Sequence, residues 1–203
     1  MSASTLTATT IGYLFASTWA PRDDSNWAMH VPGAKVAGID TAANLLNLAI
    51  WSLREQGLVA VEQLRPVETE KVVVMGGHSF ARLRPLDAHR QLPGLEGALL
   101  AKAQETPDQG VRETVLALDL RDKAPWASVA GYCISEAQAA GLVEIKGKLI
   151  RKPVIADSAA VEALAPRDAE IVAARTRYRE QEGELDKATI ADCIAAVSWA
   201  HQS

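Results

Sequence analysis

Residues 50–61 read IWSLREQGLVAV, and residues 134–145 read ISEAQAAGLVEI. Both segments place an isoleucine seven positions before a Gly-Leu-Val string, and a further aliphatic residue follows two positions after the valine. Glycine is typical of the position just after a helix, because it adopts a left-handed backbone without steric cost. The pattern therefore predicts two pseudo-repeated units, each built as a helix, a glycine, a strand and a hairpin, in the manner of a winged helix.

The two units are predicted to span residues 40–91 and 110–156 of a single domain covering residues 1–203. A chain of this length is sufficient for one sizeable hydrophobic core. Apolar spacing predicts an N-terminal helix over residues 4–19 and C-terminal helices over residues 159–201, with a break near Pro166. The expected fold is mainly α with short β-hairpins, a helical bundle that contains the two winged-helix-like units.

Local signals predict finer features of both units. Asp40 and Thr41 are predicted to cap the first unit's helix, since their side-chain oxygens accept backbone N–H groups. In the first hairpin, residues 58–64 are expected to pair with residues 71–75, because both stretches have strand-like composition. The second hairpin is predicted to turn at residues 146–148, around Gly147.

The stretch before the first unit, residues 27–38, is predicted to be a loop. It contains a proline and two glycines and shows no clear hydrophobic period. Trp27 and Met29 are expected to be exposed in this loop.

Composition limits the function classes. Apolar residues make up 48% of the chain and charged residues 23%, which is ordinary for a globular protein. The net charge of −4 argues against a general basic surface for nucleic acid. Residues 126–141 contain no lysine or arginine, so the second unit's helix is poorly suited to reading a DNA groove. The sequence therefore predicts no nucleic-acid partner.

Cysteines and the N-terminus indicate a reduced, cytoplasmic protein. Cys133 and Cys193 lie in apolar helical stretches without metal-ligand spacing, so both are expected to be reduced core residues. Residues 1–21 carry no charged side chain but are interrupted by many serines and threonines. They lack the basic segment of a signal peptide and the continuous apolar run of a membrane span.

No motif predicts catalysis, a cofactor or a metal. The Gly-rich dinucleotide and phosphate-loop patterns are absent, and residues 76–79 read GGHS, which is not a nucleophile elbow. His78 and His89 lie eleven positions apart without an acidic or cysteine ligand at metal-site spacing. The chain is therefore predicted to be a non-enzymatic binding protein.

Basic residues gather at two places. The first group follows the second unit's glycine and comprises Lys146, Lys148, Arg151 and Lys152, and the second comprises Arg175, Arg177 and Arg179. Clustered cations attract an anionic membrane surface. With Trp27, the first group is predicted to form a lipid-binding site.

Four strings resemble the Golgi phosphoprotein family, and the likeness covers residues 27–201. The strings are NLAIWSLREQGLVAVE, LEGALLAKAQETPDQGVRETVLALDL, SEAQAAGLVEIK and LDKATIADCIAAVSWAHQ. The resemblance implies a mainly helical single domain with short hairpins at its edge, peripheral on a membrane, that recognises phosphoinositide headgroups. In the family a loop tryptophan and helix arginines form the lipid site. Trp27 looks like that tryptophan, whereas LLNLAI and YCISEAQA stand where the family places its arginines.

The leading hypothesis is peripheral association with an anionic or phosphoinositide-containing membrane. One alternative is a tandem winged-helix adaptor that binds a protein partner, forms a homo-oligomer or serves as a subunit of a larger assembly. A DNA-binding transcriptional regulator is the third hypothesis. A lipid binder should carry Trp27 and several cations on one face, whereas an adaptor should expose an apolar helix patch.

Overall fold

A computed structural model of the chain describes residues 6–67, 78–87, 89–120, 124–147 and 152–202. Within these residues the fold is mainly helical with short antiparallel hairpins, which confirms the predicted fold class. In chain order the elements are α1 Ala8–Leu14, α2 Ala16–Trp19, β1 Ala28–Val31, β2 Ala34–Ala37, α3 Gly38–Glu55, β3 Val59–Gln63, β4 Ala81–Pro85, α4 Gly94–Glu105, α5 Val111–Leu116, α6 Pro125–Ala139, β5 Val143–Lys146, β6 Lys152–Ile155, α7 Ser158–Glu162, α8 Ala165–Gln181 and α9 Gly183–Gln202.

Helix α3 lies at the centre of the main hydrophobic core and packs against α1, α4, α6 and α9. Its buried side chains point in several directions around the helix and include Leu45, Leu46, Ile50 and Leu53. A helix that is apolar on most sides is stable only when other helices surround it. Helix α8 is the opposite case, since Tyr178 is its one buried residue, and it forms an outer layer against α1 and α3.

The two predicted glycines end their helices in the same way. Gly57 and Gly141 have φ angles of 68° and 76°, in the left-handed region. In both, the N–H of the glycine and that of the next leucine donate to carbonyls of the last helical turn, as in a Schellman motif. The four bonds are each 2.9 Å long and run from Gly57 to Arg54, Leu58 to Leu53, Gly141 to Gln138 and Leu142 to Ala137.

A hairpin follows each glycine in the same register. Strand β3 pairs with β4 and β5 with β6, both antiparallel. In each hairpin, the N–H of the residue after the second strand donates to the carbonyl of the leucine that follows the glycine. These bonds run from Leu86 to Leu58 and from Ala156 to Leu142, and both are 2.8 Å long. The local geometry of the two units is thus alike, and their origin as copies of one unit stays a prediction.

Strand β3 pairs with β4. The predicted partner, residues 71–75, lies outside the described residues, so its pairing with β3 stays a prediction. The carboxylate of Asp192 in α9 accepts the N–H groups of Phe80 and Ala81, which holds the start of β4 in place. A contact from the far end of the chain therefore helps to position this strand.

The predicted loop over residues 27–38 is largely the β1–β2 hairpin, so that prediction was wrong. Pro32 and Gly33 form its turn, and the φ of Gly33 is 78°, as required at the third position of a type II turn. The strand alternates partly and fully buried residues, which places Met29 inward with only 1% of its surface exposed. The predicted exposure of Met29 was therefore wrong.

Helix starts and breaks also differ in places. Helix α3 begins at Gly38 with Ala37 as its N-cap, so Asp40 and Thr41 lie inside the helix and do not cap it. The predicted N-terminal helix is divided at Phe15 into α1 and α2. Near that division the Gly12 carbonyl accepts the Trp19 indole N–H at 3.1 Å, whereas in a continuous helix it would accept a backbone N–H.

Later elements follow the predicted order. The expected C-terminal helices are α7, α8 and α9, and Pro166 lies in the first turn of α8, where proline is tolerated. Cys133 and Cys193 are both free and buried, as predicted. Among the described helices, none combines the length and apolar character needed to cross a bilayer.

Carboxylates from other helices anchor the start of α1. Glu136 in α6 accepts the Thr7 N–H at 2.8 Å and the Thr7 and Thr10 hydroxyls at 2.7 and 2.6 Å. Glu96 in α4 accepts the Thr9 N–H at 2.9 Å. Glu96 is fully buried, and burial raises its pKa.

Candidate functional site

A cleft of about 560 Å³ lies between the β1–β2 hairpin and strand β6; we call it the hairpin cleft. The turn at Pro32 and Gly33 places β2 beside β1, and β6 lies next to β1. The lining combines basic and apolar side chains, among them His30, Lys35, Lys152, Val31, Pro153 and Ile155.

The hairpin cleft has a positive electrostatic character. Its lining includes no Asp or Glu. Within the described residues neither Lys35 nor Lys152 forms a salt bridge. Hydrogen bonds from Ser25 lower the pKa of Asp23, and the charge of Lys35 makes a smaller contribution in the same direction. Two lysine ammonium groups are therefore available to an anion at this cleft.

His30 adds a group that changes charge with pH. Burial lowers its pKa, and the charges of Lys35 and Lys152 lower it further. The imidazole is therefore neutral at pH 7 and adds positive charge only in acid. The His30 carbonyl accepts the Tyr13 hydroxyl at 3.0 Å, which ties β1 to helix α1.

The structure brings together only part of the predicted lipid site. Lys152 lines the hairpin cleft, whereas Lys146, its cross-strand partner, forms a salt bridge with Glu144 at 2.6 Å. Lys148 and Arg151 lie outside the described residues. Of the four predicted cations, Lys152 is the one that the described structure places in the cleft.

Trp27 belongs to an aromatic cluster beside the first hairpin. Its ring lies 4.1 Å from that of His201 and stacks at 6.2 Å and 21° on Trp126, measured between centroids. The Gly38 N–H donates to the Trp27 carbonyl at 3.1 Å. Trp27 does not line the hairpin cleft, but β1 begins at the next residue, and half of the Trp27 surface is exposed, as predicted.

The second basic group divides between two environments. Arg175 and Arg179 line a separate cleft of about 330 Å³ beside α8, whereas Arg177 is exposed and lines neither this cleft nor the hairpin cleft. Arg179 donates to Asp186 at 3.1 Å. The three arginines therefore do not form one surface patch.

Arg82 and Arg84 on β4 do not form a comparable cationic site. Arg82 and Arg84 both bind the Glu62 carboxylate, at 2.5 and 2.9 Å, so their charges are partly neutralised. Among the described residues no three His, Cys, Asp or Glu side chains are grouped so that they could hold a metal ion.

Sequence reasoning missed His30 and Lys35. The signal that could have found them is the Pro32-Gly33 pair, because such a pair favours a type II turn and places its flanking residues on adjacent strands. The two residues are then recognised as cross-strand partners, as the structure has them.

The chain matches no protein-family model, no curated protein and no solved structure. The resemblance to the Golgi phosphoprotein family therefore stays a prediction.

Proposed function

We propose that this protein associates with anionic membrane surfaces through the hairpin cleft. The observation that carries the proposal is the lining of this cleft, which contains Lys35, Lys152 and apolar side chains but no carboxylate. Lipid headgroups present phosphate and carboxylate oxygens above an apolar layer. A groove that is both cationic and apolar is complementary to such a surface.

Trp27 supports the same mode of binding. An indole ring has a large apolar surface and one polar N–H, so it is stable at the boundary between water and lipid. The Trp27 ring is half exposed and is supported from inside by Trp126 and His201. It can therefore insert among headgroups without unfolding the hairpin.

The proposed attraction is local and sensitive to salt. The whole chain carries a net charge of −4, which an anionic membrane repels at long range. At 0.1 M salt, interactions between exposed charges that lie more than about 10 Å apart are largely screened. Binding should therefore decrease as ionic strength rises, because it depends on the cleft lysines.

Co-sedimentation with vesicles of phosphatidylcholine, alone or mixed with phosphatidylserine, tests the proposal. Each lysine near an anionic surface contributes about 1 kcal/mol, so the double variant Lys35→Ala/Lys152→Ala should bind roughly 30-fold more weakly. The matched control is Lys102→Ala/Lys187→Ala. It changes the net charge equally but removes lysines paired with Glu105 and Glu184.

The outcomes separate the hypotheses. The proposal is supported if vesicle binding is weakened in Lys35→Ala/Lys152→Ala and in Trp27→Ala but not in the control variant. Equal loss in both double variants would show that net charge alone governs binding. If the protein binds neither vesicle, nor vesicles that contain a phosphoinositide, the membrane function is wrong and the adaptor hypothesis takes its place.

A further inference from the structure

The second cleft, of about 330 Å³, lies where α8 faces α1, α2 and α3; we call it the α8 cleft. It shares no lining residue with the hairpin cleft. Apolar contacts come from Trp19, Leu48 and Ile171, and helix α8 adds the charged residues Asp168 and Arg175. Helix α8 is otherwise loosely packed, because Tyr178 is its one buried residue.

Part of the Arg175 guanidinium is buried without a hydrogen-bond acceptor in the described part of the chain. Its Nε and Nη2 atoms are buried, and no atom of the described residues accepts a hydrogen bond from either. Burial, together with the charge of the neighbouring Arg179, lowers the pKa of Arg175 to about 10. Burying a cation without a hydrogen-bonded partner costs free energy, and such groups mark ligand sites more often than chance.

The nearest carboxylate is already engaged. Asp186 accepts the Arg179 Nε–H at 3.1 Å through one oxygen and the Asn47 amide at 2.9 Å through the other. Asp186 attracts Arg175 at longer range without bonding to it. Arg175 and Arg179 together therefore carry one more positive charge than Asp186 neutralises.

We propose that the α8 cleft binds a small soluble carboxylate with an apolar body, whose carboxylate pairs with Arg175. The Nε and Nη2 atoms form one edge of the guanidinium, and this edge donates two parallel N–H groups that match the two oxygens of a carboxylate. Because both atoms are buried in the ligand-free structure, binding requires a rotation about the terminal side-chain bonds that turns this edge toward the cleft. The apolar part of the ligand then lies against Leu48 and Ile171.

Asp168 favours a ligand with a single negative charge. It lies seven residues before Arg175 on α8, which is about 10 Å along the helix axis, and it lines the same cleft. A second carboxylate on the ligand would meet the Asp168 carboxylate at that end. Hexanoate should therefore bind more tightly than adipate, which has the same chain length and an additional carboxylate.

The test compares Arg175→Gln with Arg177→Gln. Both variants remove one arginine of α8, but Arg177 is exposed and outside the cleft. Hexanoate at tenfold above its Kd should raise the Tm of the wild type and of Arg177→Gln by about 3–6 °C relative to chloride at equal ionic strength. Arg175→Gln should show no rise.

NMR of the arginine Nε–Hε groups gives a second measurement on the wild-type chain. The Arg175 signal, assigned by its loss in Arg175→Gln, should shift with hexanoate and saturate, while the Arg177 signal stays in place. An Arg175 shift no larger than that of Arg177 would overturn the proposal. So would a Tm rise in Arg175→Gln equal to that of the wild type, or a response to phosphatidylserine vesicles but not to hexanoate.

Discussion

Asp192 accepts the backbone N–H of Phe80 through both oxygens of its carboxylate, at 2.9 and 2.8 Å. The Ala81 N–H donates to one of the same oxygens at 2.8 Å. Asp192 lies in α9, and the two donors lie at the start of β4, 112 and 111 positions earlier in the chain. One side chain thus joins the C-terminal helix to the first unit's hairpin.

Replacing Asp192 with alanine should destabilise the fold by about 2–4 kcal/mol, because a buried donor without an acceptor costs about 1–3 kcal/mol. Asp192→Asn retains one acceptor oxygen, so its free energy of unfolding should decrease by less than half as much as that of Asp192→Ala. Urea unfolding of both variants measures the difference. Equal free energies of unfolding for the two would show that these hydrogen bonds do not stabilise β4.

Glu96 should make the protein more stable in mild acid than at pH 8. Burial raises its folded-state pKa, so the folded chain binds the proton more tightly than the unfolded chain. This stabilisation is complete below the unfolded pKa and is lost as the pH rises through the folded pKa. Glu96→Gln should therefore unfold at higher urea concentration than the wild type at pH 8, with a gap that narrows toward pH 5.

The Glu96→Gln variant keeps the oxygen that accepts the Thr9 N–H. Glu180→Gln, an exposed change on α8, serves as the control and should follow the wild type at every pH. A gap that stays constant between pH 5 and pH 8 would rule out Glu96 as the source of the dependence.

Gly38 should tolerate no side chain. A Cβ there would lie 2.2 Å from the Trp27 carbonyl oxygen and 2.8 Å from the Trp126 ring, both too close. Gly38→Ala is expected to cost about 1–3 kcal/mol and to change the near-ultraviolet circular dichroism of the aromatic cluster. Gly131→Ala in α6 is the control, since among the described residues no atom beyond its chain neighbours and its own helix backbone lies within 4 Å of its Cβ position, and it should stabilise by about 0.5–1 kcal/mol. Loss of stability in both variants would indicate a general effect of replacing glycine.

Both cysteines should react with thiol reagents only after unfolding. Cys133 and Cys193 are buried, and burial raises the pKa of each thiol well above its usual value, which leaves little thiolate. The reaction with a chromogenic disulfide in buffer should be slower than in urea by a factor of about 100 or more. Rapid modification of either cysteine in buffer would contradict the packing around α6 or α9.

Helix ends were predictable where a local rule sets them. The Gly-Leu-Val strings predicted where α3 and α6 end, because a left-handed glycine satisfies the last carbonyls within a few residues. The same reasoning failed at Asp40 and Thr41, since the chain leaves β2 directly into α3 and needs no side-chain cap. The pairing of β4 with β3 was harder to predict, because Asp192, which holds the start of β4, lies 111 positions further along the chain.

The candidate site was only partly predictable for a related reason. Lys152 and Trp27 are visible in the sequence as a cation and a loop-like tryptophan, but their separation in space depends on how two hairpins and α9 pack. His30 and Lys35 become relevant only once Pro32 and Gly33 form a turn. The burial of Met29 was not predicted, because it follows from the alternation of a strand in a segment whose composition is typical of a loop.

Local sequence patterns were enough to predict the helical class and the two units in which a helix, a glycine and a strand follow one another. These features depend on residues within a few positions of one another, so spacing and residue type are sufficient. Packing between distant parts of the chain determined that Asp192 holds β4, that Lys35 joins Lys152 at the hairpin cleft and that the Nε and Nη2 atoms of Arg175 are buried without an acceptor among the described residues. Each of these depends on which distant side chains fill the space beside it, because burial and charge pairing are properties of the packed chain.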